Sequence, residues 1–282
     1  MRLAARVTKT CLKLAALIAF ALLTRGVPAR AGALTQHSAP LASTPVLAAT
    51  ASTRPVATLA AAGDSSAAAE ADFPARLGSF TTTLLGSLAA RTVNVRLAAV
   101  AMDGLVLEPG QALSFNATVG ARTLERGYQP APVILHETRQ TQLGGGVCQV
   151  ASTIFVAALL SGLDVAERWR HSSPVDYIAT GEDATIAWGA KDLKLRNNLS
   201  QRVRLRVRIA GAALSARFEA EEELPAAFEL ETAERDLPGD ADGGATGCEI
   251  ELFRIRRTPD GSEERELVHR DVIPPARVRA PR

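Results

Sequence analysis

The sequence predicts an α+β fold: a mixed or antiparallel sheet packed around one buried helix that starts at a GGGxCQ motif, with a C-terminal β-hairpin appendage. Three observations lead there. The stretch "GGGVCQVASTIFVAALLSG", residues 144–162, is a run of glycines followed by a helix-length apolar segment. "RVRLRVRIAGAALSARFEAE" opens by alternating charged and apolar residues at the period of a strand. The segments around them are mostly short apolar runs bounded by turn residues, which suit strands.

Residues 1–31 read as a secretory signal peptide. Arg2, Arg6, Lys9 and Lys13 give a positive start, residues 14–23 an apolar run, and Ala29-Arg30-Ala31 a small-x-small cleavage pattern. The apolar run is short for a membrane span; left uncleaved, the segment would be an N-terminal membrane anchor. The expected location is exported, periplasmic or in the cell envelope. Cleavage would remove six basic residues and no acidic one, taking the formal net charge from +2 to −4. Such a chain offers no electrostatic footprint for nucleic acid, so that partner class is set aside. Residues 32–72 are rich in Ala, Ser, Thr and Pro with almost no charge, and predict a disordered spacer that cannot assemble a core.

The principal domain is expected over residues 73–220, with regular structure from about Leu77. "RTVNVRLAAVAMDG" places Val93, Leu97 and Val100 at helical spacing, with Asp103-Gly104 as the stop. "LVLEPGQALSFN" predicts two short strands around Pro109-Gly110, and "APVILH" another. The central helix is expected over about 148–161; residues 154–160 are apolar all round, so it should be buried on nearly every side, with Gly162 at C′. "DVAERW", "ATIAW" and "KLRNN" follow as short strands. In the hairpin turned at Ala210-Gly211, Val203, Leu205, Val207 and Ile209 face one way. Arg202, Arg204, Arg206 and Arg208 face the other, as the solvated outer side of a sheet. Residues 221–282 predict an acidic loop and a small β appendage, with Thr258-Pro259-Asp260-Gly261 as the turn of a terminal hairpin.

The chemistry centres on Cys148. A helix start favours the thiolate, the form in which cysteine attacks. Gly144, Gly145 and Gly146 would let a substrate backbone come close and present N–H groups to an oxyanion, with the Gln149 amide as a further donor. A thiol nucleophile needs a base. Among His37, His136, His171 and His269, His171 is favoured and His136 comes second: His37 is in the spacer and His269 in the terminal hairpin. Asp176 and Asp183 could orient the imidazole, Asp183 from the more fixed position. Three other readings remain open on the residues alone: an inert buried thiol, a Cys148–Cys248 disulfide, and a zinc site of Cys148, His171 and an aspartate. Ligand spacing gives the zinc site no support, and no cofactor or metal is called. The glycines argue against the disulfide, since a partner sulfur does not need close backbone approach.

From about Leu77 to Val207 the chain resembles the VanW family, named from vancomycin-resistance gene clusters. The motifs that carry the resemblance stand in order: "LGSFTT", "RTVNVRLAA", "DGLVLEPGQALSFNATVGART", "GYQPAPVI", "GGGVCQVASTIF", "GLDVAERWRHSSPVDYIATGEDATI" and "DLKLRNN". The resemblance implies a cysteine acyltransferase acting on peptidoglycan stem peptides, an L,D-transpeptidase with Cys148 as nucleophile. His171 would then be base and later acid, Asp183 the orienter, and the N–H groups around residues 146–149 the oxyanion site. Arg170, Tyr177 and Asn197 would be neighbours, Tyr177 on the substrate side. Water in place of the acceptor amine would make a peptidase; a structural Cys148 would leave a wall-binding scaffold. Where the family often reads Ser-Thr-Leu-Tyr-Asn, this chain has Ser152-Thr153-Ile154-Phe155-Val156, an exchange of two polar positions that would alter specificity if they touch substrate.

Overall fold

The computed structural model describes residues 72–135, 138–238 and 247–274. The segments read as signal peptide and spacer lie outside them, apart from Asp72. All described residues belong to one unit, Gly63–Arg282. Among them no helix is long and apolar enough to cross a membrane. The architecture is α+β, with antiparallel sheets around a central helix.

That helix, α3 (Val147–Leu160), carries the core. Of its fourteen residues only Cys148 and Leu160 are not buried, so the helix is covered everywhere except at its reactive end and its last residue. It ends in a Schellman motif: Leu163 N–H bonds the Ala158 carbonyl and Gly162 N–H the Leu159 carbonyl. Gly162 takes φ 72° as the C′ residue. The predicted helix and stop are therefore present.

β1 (Ala75–Thr83), a strand with no sequence expectation of its own, pairs with β9 (Ala213–Ala220). β8 (Val203–Ala210) and β2 (Val106–Leu107) complete this four-stranded sheet in the order β1-β9-β8-β2. Val203, Leu205 and Val207 are buried as expected. The arginine row departs from expectation, because it is an ion-paired layer and not a bare solvated face. Arg204 is buried against Glu219, Arg206 and Arg208 share Asp103, and Arg202 holds Glu221.

α1 (Ala89–Met102) is a helix as predicted, but its phase differs. Asn94, Val95, Ala98, Ala99 and Met102 face the core, whereas Val93 and Val100 are exposed. Val95, Ala98, Ala99 and Met102 bring α1 against α3 and β8, and the alanines allow that close approach, while Val93 and Val100 point outward.

The Pro109-Gly110 turn does join two strands, yet they belong to different sheets. β2 pairs with β8, while β3 (Ala112–Ser114) pairs with β7 (Lys194–Arg196). β7 also pairs with β6 (Asp164–Glu167). The short helix α2 (Phe115–Val119) follows β3 and is capped by the Ser114 hydroxyl, which accepts from Ala117 N–H. β4 (Pro130–Leu135) pairs with β5 (Thr138–Leu143), whose polar sequence TRQTQL gives no strand signal. "ATIAW" is not a strand; only a bridge between Ala187 and Lys191 forms there.

The C-terminal region holds three strands, one more than the predicted hairpin: β10 (Ala227–Asp236), β11 (Cys248–Arg257) and β12 (Glu263–Ile273). The turn at residues 258–261 is where the sequence places it. Leu252 of β11 enters the main core, and β10 packs on α3.

Candidate active site

The loop before α3 is built by its own glycines. Gly144 and Gly146 adopt φ 80° and 104°, the left-handed region that side chains disfavour. A Cβ on Gly145 would stand 2.5 Å from the Ala131 carbonyl oxygen of β4. On Gly144 it would meet Arg122 at 2.8 Å, and on Gly146 Arg91 at 2.7 Å. The glycines thus serve close approach of the protein's own chain, a correction to the expectation that they admit a substrate backbone. Asn94, buried inside α1, fixes the loop: Nδ2 donates to the Gln129 and Gly145 carbonyls, and Oδ1 accepts from Gln129 N–H.

Gln149 also departs from expectation. Its side chain turns toward β1, where Nε2 donates to Thr82 Oγ1 and to the Thr83 carbonyl, both at 2.9 Å. It anchors α3 and does not offer an amide beside the thiol. In the glycine turn, Val147 N–H bonds Gly144 and Gln149 N–H bonds Gly146. Among the described residues no backbone carbonyl takes the N–H of Gly146 or of Cys148, donors that a helix start leaves over.

Cys148 is half-buried, and Cys248, buried, is not joined to it in a disulfide. That pairing is therefore excluded. Cys148 Sγ lies 3.6 Å from Thr185 Oγ1 and 3.7 Å from the Ile186 carbonyl oxygen. The His171 imidazole lies close enough to the same sulfur to shift its titration. On its other side, His171 Nδ1 stands 2.6 Å from Asp183 Oδ2, and the same oxygen accepts the His171 backbone N–H at 2.7 Å. A carboxylate only accepts, so Nδ1 donates and Nε2 is left for the sulfur. One carboxylate oxygen thereby fixes both the ring and its backbone.

Asp183 is itself held. Arg168 Nη2 donates to its Oδ1 at 2.9 Å, and Arg168 Nε to its backbone carbonyl at 2.6 Å. Arg168 Nη1 spans both oxygens of Asp271 on β12, at 2.8 and 2.6 Å. Ser152 ties the same segment to α3, accepting from Ala184 N–H at 2.9 Å and bonding the Cys148 carbonyl. Phe155 lies fully buried beneath the Arg168 guanidinium, 5.7 Å from ring centroid to charge, and Val156 is buried too. The two positions where the chain departs from the family pattern are therefore core positions that no substrate reaches.

These contacts set the protonation states. Burial pushes the Cys148 thiol up, but the hydrogen bond and charge of His171 outweigh it, aided by Thr185 and the Ile186 backbone, and bring it from 9.0 to about 7. Burial pushes His171 down; hydrogen bonds to Asp183 and Cys148, and their charges, raise it from 6.5 to about 9. The thiol is lowered and the imidazole raised, each by the other, so both shifts favour the thiolate–imidazolium form of the pair. Burial raises Asp183 as well, yet the His171 bond and the Arg168 charge leave it below its ordinary 3.8.

Tyr177 stands edge-on to His171, with ring centroids 6.4 Å apart. Its hydroxyl is buried near Ser152 and Cys148 without an acceptor in hydrogen-bonding geometry. Burial, then the Cys148 charge, raises its pKa, so it stays a donor. The other sequence candidates separate. Asp176 is exposed. Asn197 is fully buried in a turn, donating to the Leu107 and Gln201 carbonyls, and has a structural role. Arg170 donates to the His171 carbonyl and, with His171, Asp183 and Asp271, lines a small open cavity that does not include Cys148. His136 lies outside the described residues. His269, on β12, lies tilted against Phe155 with ring centroids 6.0 Å apart, and burial lowers it to about 4. Among the described residues no three His, Cys, Asp or Glu side chains converge to hold a metal ion.

Arg168, Asp271, Asn94 and Thr185 were not anticipated. Asn94 alone left a trace, as a polar residue inside an otherwise apolar stretch of α1.

Residues 90–218 match the family model described as VanW like protein. The uncharacterized protein YoaR of Bacillus subtilis is 37% identical over 139 residues, 49% of this chain and 46% of YoaR. The vancomycin B-type resistance protein VanW of Enterococcus faecalis is 31% identical over 113 residues, 38% of this chain and 41% of that protein. The chain thus spans less than half the length of either relative. No solved structure matches it.

Proposed function

We propose, from the match of residues 90–218 to the VanW like protein model and the likeness to the vancomycin B-type resistance protein VanW, that this chain is an exported cysteine acyltransferase of the cell wall, L,D-transpeptidase-like, acting on peptidoglycan stem peptides. The observation that carries this reading is the Cys148–His171–Asp183 arrangement, with the thiolate at the uncovered end of an otherwise buried helix.

The Cys148 thiolate attacks the carbonyl carbon of the third stem residue, forming a C–S bond and an oxyanion. N–H groups of Gly146 and Cys148 and the Tyr177 hydroxyl are the donors at hand. As the C–N bond breaks, the His171 imidazolium gives its proton to the departing amine of the terminal residue. A thioester remains and His171 is neutral. The amine of a second stem attacks it, His171 takes the proton released, and the C–S bond breaks to restore the thiolate. Asp183 keeps the imidazole oriented throughout and stabilises its charged form.

Intact-mass analysis of the protein incubated with tetrapeptide stems tests this. The expected result is an acyl adduct on Cys148 or a cross-linked dimer of stems, both lost in Cys148→Ala. Cross-linking that survives the substitution would remove Cys148 as nucleophile; binding without adduct or product in either protein would make the domain a wall-binding scaffold.

A further inference from the structure

Most of the arginines among the described residues carry a carboxylate. Among the buried and half-buried ones, Arg168, Arg202, Arg204, Arg206, Arg217 and Arg254 are each ion-paired. Three half-buried arginines have no carboxylate partner among the described residues: Arg91, Arg122 and Arg170. A partly desolvated guanidinium without a counter-charge is unfavourable, and a fold that neutralises its other buried arginines has left these open.

Two of the three border the nucleophile's loop. Arg122 packs its stem on Gly144, and its guanidinium lies 5.8 Å over the exposed ring of Trp188, two residues beyond the Ile186 carbonyl that faces Cys148. Two of its N–H groups go to neutral acceptors, the Gly120 carbonyl and Asn116 Oδ1. Arg91 packs on Gly146, and its guanidinium lies 5.9 Å over Tyr177, the ring that stands edge-on to His171. Its one hydrogen bond is to the neutral Ser87 hydroxyl. Both guanidiniums therefore retain donors for a ligand, and each is braced by an aromatic face and a glycine of the loop. Arg122 also feels the charges of Cys148 and, at longer range, of the buried Asp192, without an ion pair to either.

We infer that Arg91 and Arg122 receive a carboxylate of the acyl donor, so that the site acts on an anionic chain end and not within a peptide. Guanidinium and carboxylate match as planar, multiply hydrogen-bonded partners, and binding supplies the directly paired carboxylate that neither arginine has among the described residues. Trp188 adds an apolar shelf for the body of the same ligand. This inference rests on Cys148 as the nucleophile, and it deepens that reading by naming what the donor must carry.

Alkylation of the full chain separates the two claims. Rates at Cys148, localised by peptide mass, are compared for anionic iodoacetate and neutral iodoacetamide in the unaltered protein and in Arg91→Gln, Arg122→Gln, Arg122→Lys and Arg96→Gln. Arg96 is exposed on α1 and serves as the control. His171 is retained in all, so its own charge does not distinguish them. The expected result is that the iodoacetate-to-iodoacetamide ratio falls by about tenfold in Arg91→Gln and Arg122→Gln, with the iodoacetamide rate kept. It should be held by Arg122→Lys and unchanged in Arg96→Gln. An unchanged ratio in both glutamine variants with iodoacetamide reactivity retained would overturn the carboxylate site and leave the nucleophile standing. A Cys148 inert to both reagents in the unaltered protein would overturn the nucleophile and this inference with it.

Discussion

Asp271, on the last strand of the fold, places both carboxylate oxygens on Arg168 Nη1, at 2.8 and 2.6 Å. The other branch of that guanidinium holds Asp183, so the C-terminal sheet reaches the imidazole through two buried charges. Asp271 lies outside residues 90–218. Asp271→Asn leaves Arg168, whose side chain is 6% exposed, one carboxylate short. Breaking a buried pair on one side costs about 3–5 kcal/mol, and the retained Asp183 pair favours the lower end. Urea denaturation should show that loss. With Asp183 as its one remaining carboxylate, Arg168 should draw more on that charge and lower the His171 titration midpoint, measurable by NMR, whereas a purely structural Asp271 would leave that midpoint in place.

Thiol reactivity should follow the pair and not an isolated cysteine. The alkylation rate of Cys148 is expected to rise through about pH 7, where an ordinary thiol rises near 9.0. In His171→Ala the hydrogen bond and charge that lower the thiol are gone while burial remains, so the midpoint should move to 9.0 or above. An alkylation profile identical in the two proteins would separate the imidazole from the sulfur.

Asp183→Asn removes the acceptor that fixes the His171 tautomer and charge. General acid–base catalysis is worth about 10²–10⁴-fold, and a loss in that range is expected in acyl-transfer rate, with stem-peptide binding retained. The Cys148 alkylation midpoint should shift upward in the same variant, since an imidazole without its carboxylate holds a proton less well.

The pH dependence of stability has a definite form. His171 is raised from 6.5 to about 9, so its stabilisation is full below 6.5 and lost as pH rises through 9. Cys148 is lowered from 9.0 to about 7, so its stabilisation is full above 9.0 and lost as pH falls through 7. Between 7 and 9 the two trends oppose, because the folded chain holds on the imidazole the proton that the unfolded chain holds on the thiol. Urea midpoints should therefore be nearly flat across that window. Acid instability falls instead to carboxylates such as Asp183 and Glu219, both depressed by their partners despite burial. Their contributions are present above about 3.8 and 4.5 and are lost as pH falls below those values.

Gly145→Ala should be more damaging than its position beside a nucleophile suggests. The new Cβ would meet backbone at 2.5 Å, which no rotamer relieves. Overpacking costs about 1–3 kcal/mol where neighbours can yield, and here they cannot readily do so. Lost stability, with the surviving folded fraction still reactive at Cys148, is the expected outcome in combined denaturation and alkylation measurements.

The elements that were legible in the sequence are those whose signals are local. Gly162 closes α3 because only a left-handed residue completes a Schellman end. The arginine–valine alternation of β8 survives in the fold because strand period is a backbone property. β5 carries no apolar alternation in TRQTQL, and in β10 the Phe228–Leu230 alternation that packs inward is only two residues long within an acidic stretch. The phase of α1 differs because Val93 and Val100 set the apparent period, while the buried face runs through Val95, Ala98, Ala99 and Met102. Within the site, Cys148, His171 and Asp183 are nameable from residue type and spacing around one glycine turn.

The sequence by itself determined a buried helix with one thiol at its open end, a histidine and an aspartate downstream, and an antiparallel sheet to carry them. Those follow from backbone conformations and hydrophobic periods that each segment holds alone. Only the tertiary structure decided that the glycines are filled by Ala131, Arg91 and Arg122, that Gln149 turns to β1, and that Asp271 reaches Asp183 through Arg168. Such contacts join residues as far apart as 103 positions in the chain. Their energies depend on desolvation and on distances that exist only once the layers are packed.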